Sequence, residues 1–178
     1  MTTEVAAPAR AEVNRCIAFV DIAGYSQNSR QRSNIELAAF LDGFYALVAE
    51  AARSSGGCVV KYLGDGALLS WPETAADSAT KALLALRTAA RRWMAEQGWH
   101  TDLIVKLHAG TVVEGGFGAP SEPHHDIIGV AVEVAARLDT RGFALSAEAF
   151  RQLSPTTRQL FKKHTPPVTY LPVDDRRP

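Results

Sequence analysis

The chain has 178 residues, 47% of them apolar, and a mass of 19.2 kDa, which suits one domain with a single sizeable core. Lys plus Arg and Asp plus Glu each total 19 and the pI is about 7.0, so no net field favours polyanions, which argues against a nucleic-acid binder. The longest apolar runs, such as Ala82–Leu86, fall far short of the roughly 20 residues of a membrane helix, and no secretion signal is readable, so a soluble, cytoplasmic protein without a membrane partner is expected.

Residues 1–14 lack periodicity and read as a flexible tail. An apolar run from Arg15 to Ile22 ends at Ala23-Gly24, the pattern of a buried strand opening into a tight turn. Ser33 and Glu36 have capping-box spacing, and Leu37, Leu41, Phe44 and Val48 recur at helical intervals as far as Ser54-Ser55-Gly56-Gly57. Cys58–Leu63 and Ala67–Trp71 flank Gly64-Asp65-Gly66, which predicts a hairpin. Thr74 with Asp77 is expected to cap a second helix carrying Leu83, Leu86, Ala90 and Trp93, before Leu103–Val113 returns as a strand.

The order strand, helix, strand, strand, helix, strand is that of a ferredoxin-like α+β unit, with helices expected on one face of an antiparallel sheet. In the C-terminal extension, Gly115–Gly118 and Pro120–His125 read as a loop, His124-His125 as exposed, Val130–Leu138 as a helix and Phe143–Leu145 as a strand. Ser146 and Ser154-Pro155 read as helix starts and Val168–Val173 as a last strand, with 174–178 a short tail. Cys16 and Cys58 lie in apolar runs with no CxxC or Cys/His cluster, which predicts buried free thiols in a reducing compartment rather than a disulfide or zinc site.

Asp21 near a strand end and Asp65 at a hairpin tip are positions this fold can bring together, and two converging carboxylates offer hard oxygen ligands for Mg²⁺ or Mn²⁺. The same residues also suit plainer roles, Asp65 as a turn residue and Asp21 as a cap. Ile22-Ala23-Gly24-Tyr25-Ser26 turns at the strand end, where backbone N–H groups can hold phosphates, although no Walker sequence is present.

Phe19-Val20-Asp21-Ile22-Ala23-Gly24-Tyr25-Ser26 resembles the opening motif of class III nucleotidyl cyclases, and Gly56–Gly66 resembles their second. His108-Ala109-Gly110, Asp126-Ile127-Ile128-Gly129 and Val132–Leu138 are similar to later motifs, and Ser146-Ala147-Glu148, Lys162-Lys163 and Thr169-Tyr170 to the closing segments. The resemblance spans residues 15–173 and implies a catalytic domain working as a head-to-tail homodimer with sites between subunits. It implies that Asp21, Asp65 and the Ile22 carbonyl hold two Mg²⁺ or Mn²⁺ ions per site. The partner subunit would supply Lys61 and Asp126 to the adenine and Arg137 and Lys163 to the phosphates, with Lys162 competing for the last role. Each of these side chains also has a simpler reading as solvated surface charge.

One position departs from the family pattern: Glu133 stands where an Asn usually holds the ribose, four residues before Arg137, a spacing at which Glu and Arg pair on a helix. The leading expectation is a stand-alone adenylyl cyclase converting ATP to 3′,5′-cyclic AMP and pyrophosphate, with Glu133 as the feature that would impair its activity. The alternatives are a cyclase acting on GTP or a pyrimidine nucleotide, and a silent cyclase-like regulatory dimer.

Overall fold

Alternation along the first strand builds two cores, one on each side of a single sheet. The structure, a computed structural model, describes residues 9–165 and 168–175. In β1 (Ala11–Ile22), Cys16, Ala18, Val20 and Ile22 join the larger core, whereas Ile17 turns to a smaller one. A short helix α1 (Tyr25–Asn28) and a 3₁₀ turn lead to α2 (Asn34–Ser54), which opens with the expected capping box: Ser33 Oγ accepts from the Glu36 N–H, and the Glu36 carboxylate accepts from the Ser33 N–H at 2.8 Å. Phe40, Phe44, Val48 and Ala52 form its buried stripe.

The hairpin β2 (Cys58–Leu63) and β3 (Gly66–Pro72) follows, then α3 (Ala76–Glu96) and β4 (Leu103–Phe117). β2, β3, β1 and β4 lie side by side in that order, all antiparallel, as the ferredoxin-like reading requires. The sheet continues through β6 (Phe143–Ser146) and β8 (Thr169–Pro172) to β7 (Phe161–His164), with β5 (His124–Ile128) paired to the far end of β4. Helices α4 (Val130–Arg137), α5 (Ala147–Arg151) and α6 (Pro155–Arg158) complete the chain. The fold is therefore mixed α+β.

Several expectations need correction. β1 starts at Ala11, not Arg15: residues 11–14 pair with β4 alone, and the alternation of Ala11 and Val13 with Glu12 and Asn14 is too short to stand out from the aperiodic residues before it; Thr111 Oγ1 donates to Asn14 Oδ1 at 2.7 Å. Residues 1–8 and 176–178 of the expected tails lie outside the described residues. Asp175 is tied down, ion-paired to Arg87. Thr74 and Asp77 do not cap α3. Its first turn follows a 3₁₀ turn, and Asp77 accepts from the Ser154 N–H at 2.8 Å and pairs with Lys81.

The expected loop at 115–125 narrows to residues 118–123: its two ends are strand, because Gly115, Gly116 and Phe117 stay in register with Asp126, His125 and His124 of β5. Nor are all helices on one face: α4 packs Ala131 and Ala135 with Ile17, Leu68, Val112 and Ile127 on the side opposite α2 and α3. Cys16 is buried, its thiol pushed up to about 12 by burial and then by the charge of Glu73, but Cys58 is exposed. β2 is an edge strand, and an apolar run at an edge is covered by only one neighbour.

Candidate active site

The register of β1 with β3 sets Asp21 opposite Gly66, which brings the hairpin tip carrying Asp65 against the end of β1. The Ile22 N–H donates to the Asp65 carbonyl at 3.2 Å. Gly66 is needed for this approach: a Cβ there would sit 2.6 Å from the Val20 carbonyl oxygen and 3.1 Å from Asp21 Oδ1. Desolvation, then the charge of Asp65, push the Asp21 carboxyl up to about 6, with Lys106 opposing them. Two carboxylates that repel one another, Asp21 of them lining a cleft, suit a divalent cation. Among the described residues no cluster of three or more His, Cys, Asp or Glu side chains is assembled for a metal. A cation here would need further oxygens from a bound phosphate, the usual arrangement for Mg²⁺.

Beyond Asp21 the chain turns through Gly24, whose φ of +67° is the left-handed conformation glycine tolerates, before Tyr25 and Ser26 begin α1. This turn is held from below. The Ala23 N–H donates to the Asp102 carbonyl at 2.9 Å, Thr101 Oγ1 donates to the Ala23 carbonyl, and Tyr25 stacks on Trp99, which stacks on Phe40. Asp102 is itself fixed by Arg87 and Arg91.

Lys61 and Asp126 meet: Lys61 Nζ donates to Asp126 Oδ2 at 2.6 Å, while Asp126 Oδ1 accepts from the Ile127 N–H at 2.8 Å. A register shift between Val59 and Lys61 inserts Val60 as a bulge, the kind of irregularity that re-aims the following side chain. The adjacent His125 lies on a strand, exposed as expected, with Nε2 3.0 Å from Glu114 Oε1.

On α4, Arg137 and Glu133 pair at 3.3 Å, both largely in solvent. Lys163 is exposed on β7, whereas Lys162 donates to the Val173 and Asp175 carbonyls at 3.1 and 3.2 Å. Lys162 is thereby committed to its own chain, which favours Lys163 as the cation open to a ligand. Thus Asp21, Ile22, Gly24, Tyr25, Ser26 and Asp65 gather at one end of the sheet and Lys61 with Asp126 form a second group. Glu133 with Arg137, and Lys163, stand on separate elements.

Sequence reasoning missed Lys106, Trp99, Thr101 and Asp102. The signal for Lys106 was a lysine in the middle of the otherwise apolar run Leu103–Leu107.

The family model for the adenylate and guanylate cyclase catalytic domain matches residues 8–167. An adenylate cyclase of Anabaena cylindrica is 30% identical over 131 residues, 69% of this chain and 26% of that protein. Adenylate cyclase 2 of Rhizobium meliloti (strain 1021) is 28% identical over 156 residues, 79% of this chain and 42% of that protein. The chain thus spans less than half the length of these curated relatives. A bacterial light-regulated adenylyl cyclase superimposes with a TM-score of 0.83 at 21% identity, covering 95% of this chain and 54% of that one. The guanylyl cyclase Cya2 does so with a TM-score of 0.77 at 17% identity, covering 92% of both chains. These structural likenesses establish the fold, and no helix among the described residues is long and apolar enough to cross a membrane. With the family model spanning 8–167, the chain belongs to the adenylate and guanylate cyclase catalytic-domain family.

Proposed function

We propose that this domain, acting as a head-to-tail homodimer, cyclises ATP to 3′,5′-cyclic AMP and pyrophosphate. The observation that carries the reading is the convergence of Asp21 and Asp65 beside the turn at Gly24. Asp21, Asp65 and the Ile22 carbonyl would hold two Mg²⁺ or Mn²⁺ ions, which when bound acidify the ribose 3′-hydroxyl and neutralise the triphosphate. The 3′-oxygen forms a bond to the α-phosphorus, the bond to the bridging oxygen breaks, and the hydroxyl proton passes to solvent. Backbone N–H groups of Gly24, Tyr25 and Ser26 face the phosphates, while Arg137 and Lys163 of the other subunit hold negative charge as it shifts to the leaving group.

Lys61 and Asp126 support adenine: the ammonium donates to a ring nitrogen, and the carboxylate accepts from the exocyclic amine. Guanine presents a carbonyl there, and Asp126 would be left facing an acceptor. The dimer is supported by exposed apolar side chains beside these residues, with Tyr62 41%, Leu63 47%, Ile128 51% and Val130 75% exposed.

The test is the purified protein with Mn²⁺ and each of ATP, GTP, CTP and UTP, with the product identified by mass. Cyclic AMP from ATP is expected. Another cyclic nucleotide in its place overturns the choice of base, and no cyclic product from a folded dimer overturns the enzyme reading. Glu133, standing where the resemblance expects an Asn, favours that last alternative, a silent dimer that binds a nucleotide as a regulatory module.

A further inference from the structure

Leu103, Val105, Leu107 and Ala109 of β4 turn into the main core, while Lys106 and Gly110 lie on the other face, against α4. On that second face Lys106 is a half-buried cation. It shares a cleft of about 220 Å³ with Phe19, Asp21, Gly66, Ala136 and Thr140, and its Nζ donates to the Ala136 carbonyl at 2.7 Å. α4 has only eight residues and ends without the left-handed turn that commonly satisfies the last carbonyls, since Leu138 follows with φ −57° and ψ 124°. The Leu138 N–H takes the Ala135 carbonyl at 3.3 Å, and Lys106 takes the next one. An ammonium at this end of a helix also meets the negative pole of its dipole. The residue after Ala136 is Arg137.

We propose that Lys106 is a positioning residue for Arg137: by holding the Ala136 carbonyl it fixes the last turn of α4 and the direction in which Arg137 leaves it. The proposal rests on the reading above, in which Arg137 of one subunit serves the carboxylate pair of the other. Lys106 then stands between two sites, bordering the carboxylates of its own chain while steadying an arginine that works in the opposite site.

Lys106→Met removes the donor and keeps the aliphatic stem, whereas Lys106→Arg keeps a cation able to reach the same carbonyl. Misplacing a group that acts on developing charge lowers kcat more than it raises KM. Lys106→Met should therefore lose about ten- to 100-fold in kcat with KM changed less than about threefold, and Lys106→Arg should recover most of the loss. Independently of activity, amide hydrogen exchange across residues 130–138 should accelerate in Lys106→Met and not in Lys106→Arg. Unchanged kcat and unchanged exchange in folded Lys106→Met overturn the proposal. Should that variant not fold, Lys106→Gln, which shortens the donor and removes its charge, takes its place in the same measurements.

Subunit mixing then separates action on α4 from action on Asp21. Lys106→Met mixed with Asp65→Asn rebuilds one site from the carboxylates of the first chain and the undamaged α4 of the second, so activity should rise well above either variant alone. Lys106→Met mixed with Lys61→Ala leaves the damaged α4 facing the remaining intact base pocket's site, so activity should stay low. The reverse pattern assigns Lys106 to Asp21 and overturns the proposal. Asp65→Asn mixed with Lys61→Ala is the control. If it stays silent despite subunit exchange shown by mass, the composite-site reading fails by itself, and the exchange and kcat comparison of Lys106→Met with Lys106→Arg decides the role of Lys106.

Discussion

Lys61 reaches a residue 65 positions away in sequence, placing its ammonium 2.6 Å from the Asp126 carboxylate, and the pair presents a donor beside an acceptor. Asp126→Asn keeps the shape but offers an amide that can turn its NH₂ towards a guanine carbonyl. Losing a charge-assisted hydrogen bond costs about 1.5 to 3 kcal/mol, so kcat/KM for ATP should fall roughly ten- to 150-fold while the value for GTP falls less. Parallel measurement of kcat/KM for the two nucleotides checks this, and an equal loss for both would remove Asp126 from base selection.

Asp21 predicts how stability depends on pH in the absence of metal. Desolvation and then Asp65 raise its carboxyl to about 6, above its ordinary value, so the folded chain resists its ionisation. The stabilising contribution is therefore full below roughly pH 4 and is lost as pH rises through about 6. With a chelator present, Asp21→Asn should melt higher than the wild type at pH 7.5, and the gap should close near pH 4. Added Mn²⁺ should raise the wild-type Tm and leave the variant unmoved. A wild type at least as stable as Asp21→Asn at pH 7.5 in chelator would contradict the repulsion between the two carboxylates.

The meeting of Asp21 with Asp65 was legible in the residues because a strand end and a glycine-flanked hairpin tip are local signals, and the βαββαβ order joins them. The meeting of Lys61 with Asp126 was not. β5 was hidden by Gly115, Gly116, Pro120 and Pro123, which read as loop, and the bulge at Val60 leaves no mark in composition. Only the likeness of whole motifs put those two residues in one pocket. The side chosen by α4 was equally obscure: its contact face is Ala131 and Ala135, small residues that pack on either side of a sheet, while Val130 and Val134 point outward. Lys106 was overlooked because a single lysine in a strand ordinarily faces solvent, and only the end of α4 gives it a partner.

Asp102 supports the turn that follows Asp21. Its carboxylate accepts from Arg87 at 2.6 Å and Arg91 at 2.6 Å, its backbone carbonyl accepts from Ala23, and Arg87 is also paired with Asp175. Burial alone would raise its carboxyl, but the hydrogen bonds of Arg87 and Arg91, and the charge of Arg87, hold it below the ordinary range. This contribution is present above the unfolded pKa and is lost as pH falls through the lower folded value. Asp102→Ala leaves Arg87, only 11% exposed, with Asp175 as its remaining carboxylate. A loss of about 2 to 4 kcal/mol in urea unfolding at pH 7 is expected. It should shrink towards pH 3, and a loss independent of pH would mean that packing, not charge, holds this corner.

Glu133 is the residue that the motif resemblance sets where an Asn usually stands, and its pairing with Arg137 decides less than it first suggests. The two side chains are 64% and 80% exposed, and a surface i, i+4 pair contributes only about 0.3 to 0.5 kcal/mol, so a bound triphosphate would displace it readily. The larger effect is chemical. An Asn amide can donate to the ribose, whereas an ionised Glu only accepts, and its charge opposes the negative charge gathering around the α-phosphate. Together these cost on the order of 1 to 3 kcal/mol of transition-state stabilisation, equivalent to roughly five- to 150-fold in rate. Glu133→Asn should therefore raise turnover of ATP by such a factor and leave the dependence on Mn²⁺ unchanged. The opposite case is that Glu133 has been recruited to accept a hydrogen bond from a different nucleotide, and then the same substitution lowers turnover or moves the preferred base. Turnover of all four nucleotides by wild type and Glu133→Asn separates these: a variant slower than the wild type on ATP would show that the carboxylate serves the site rather than impairing it.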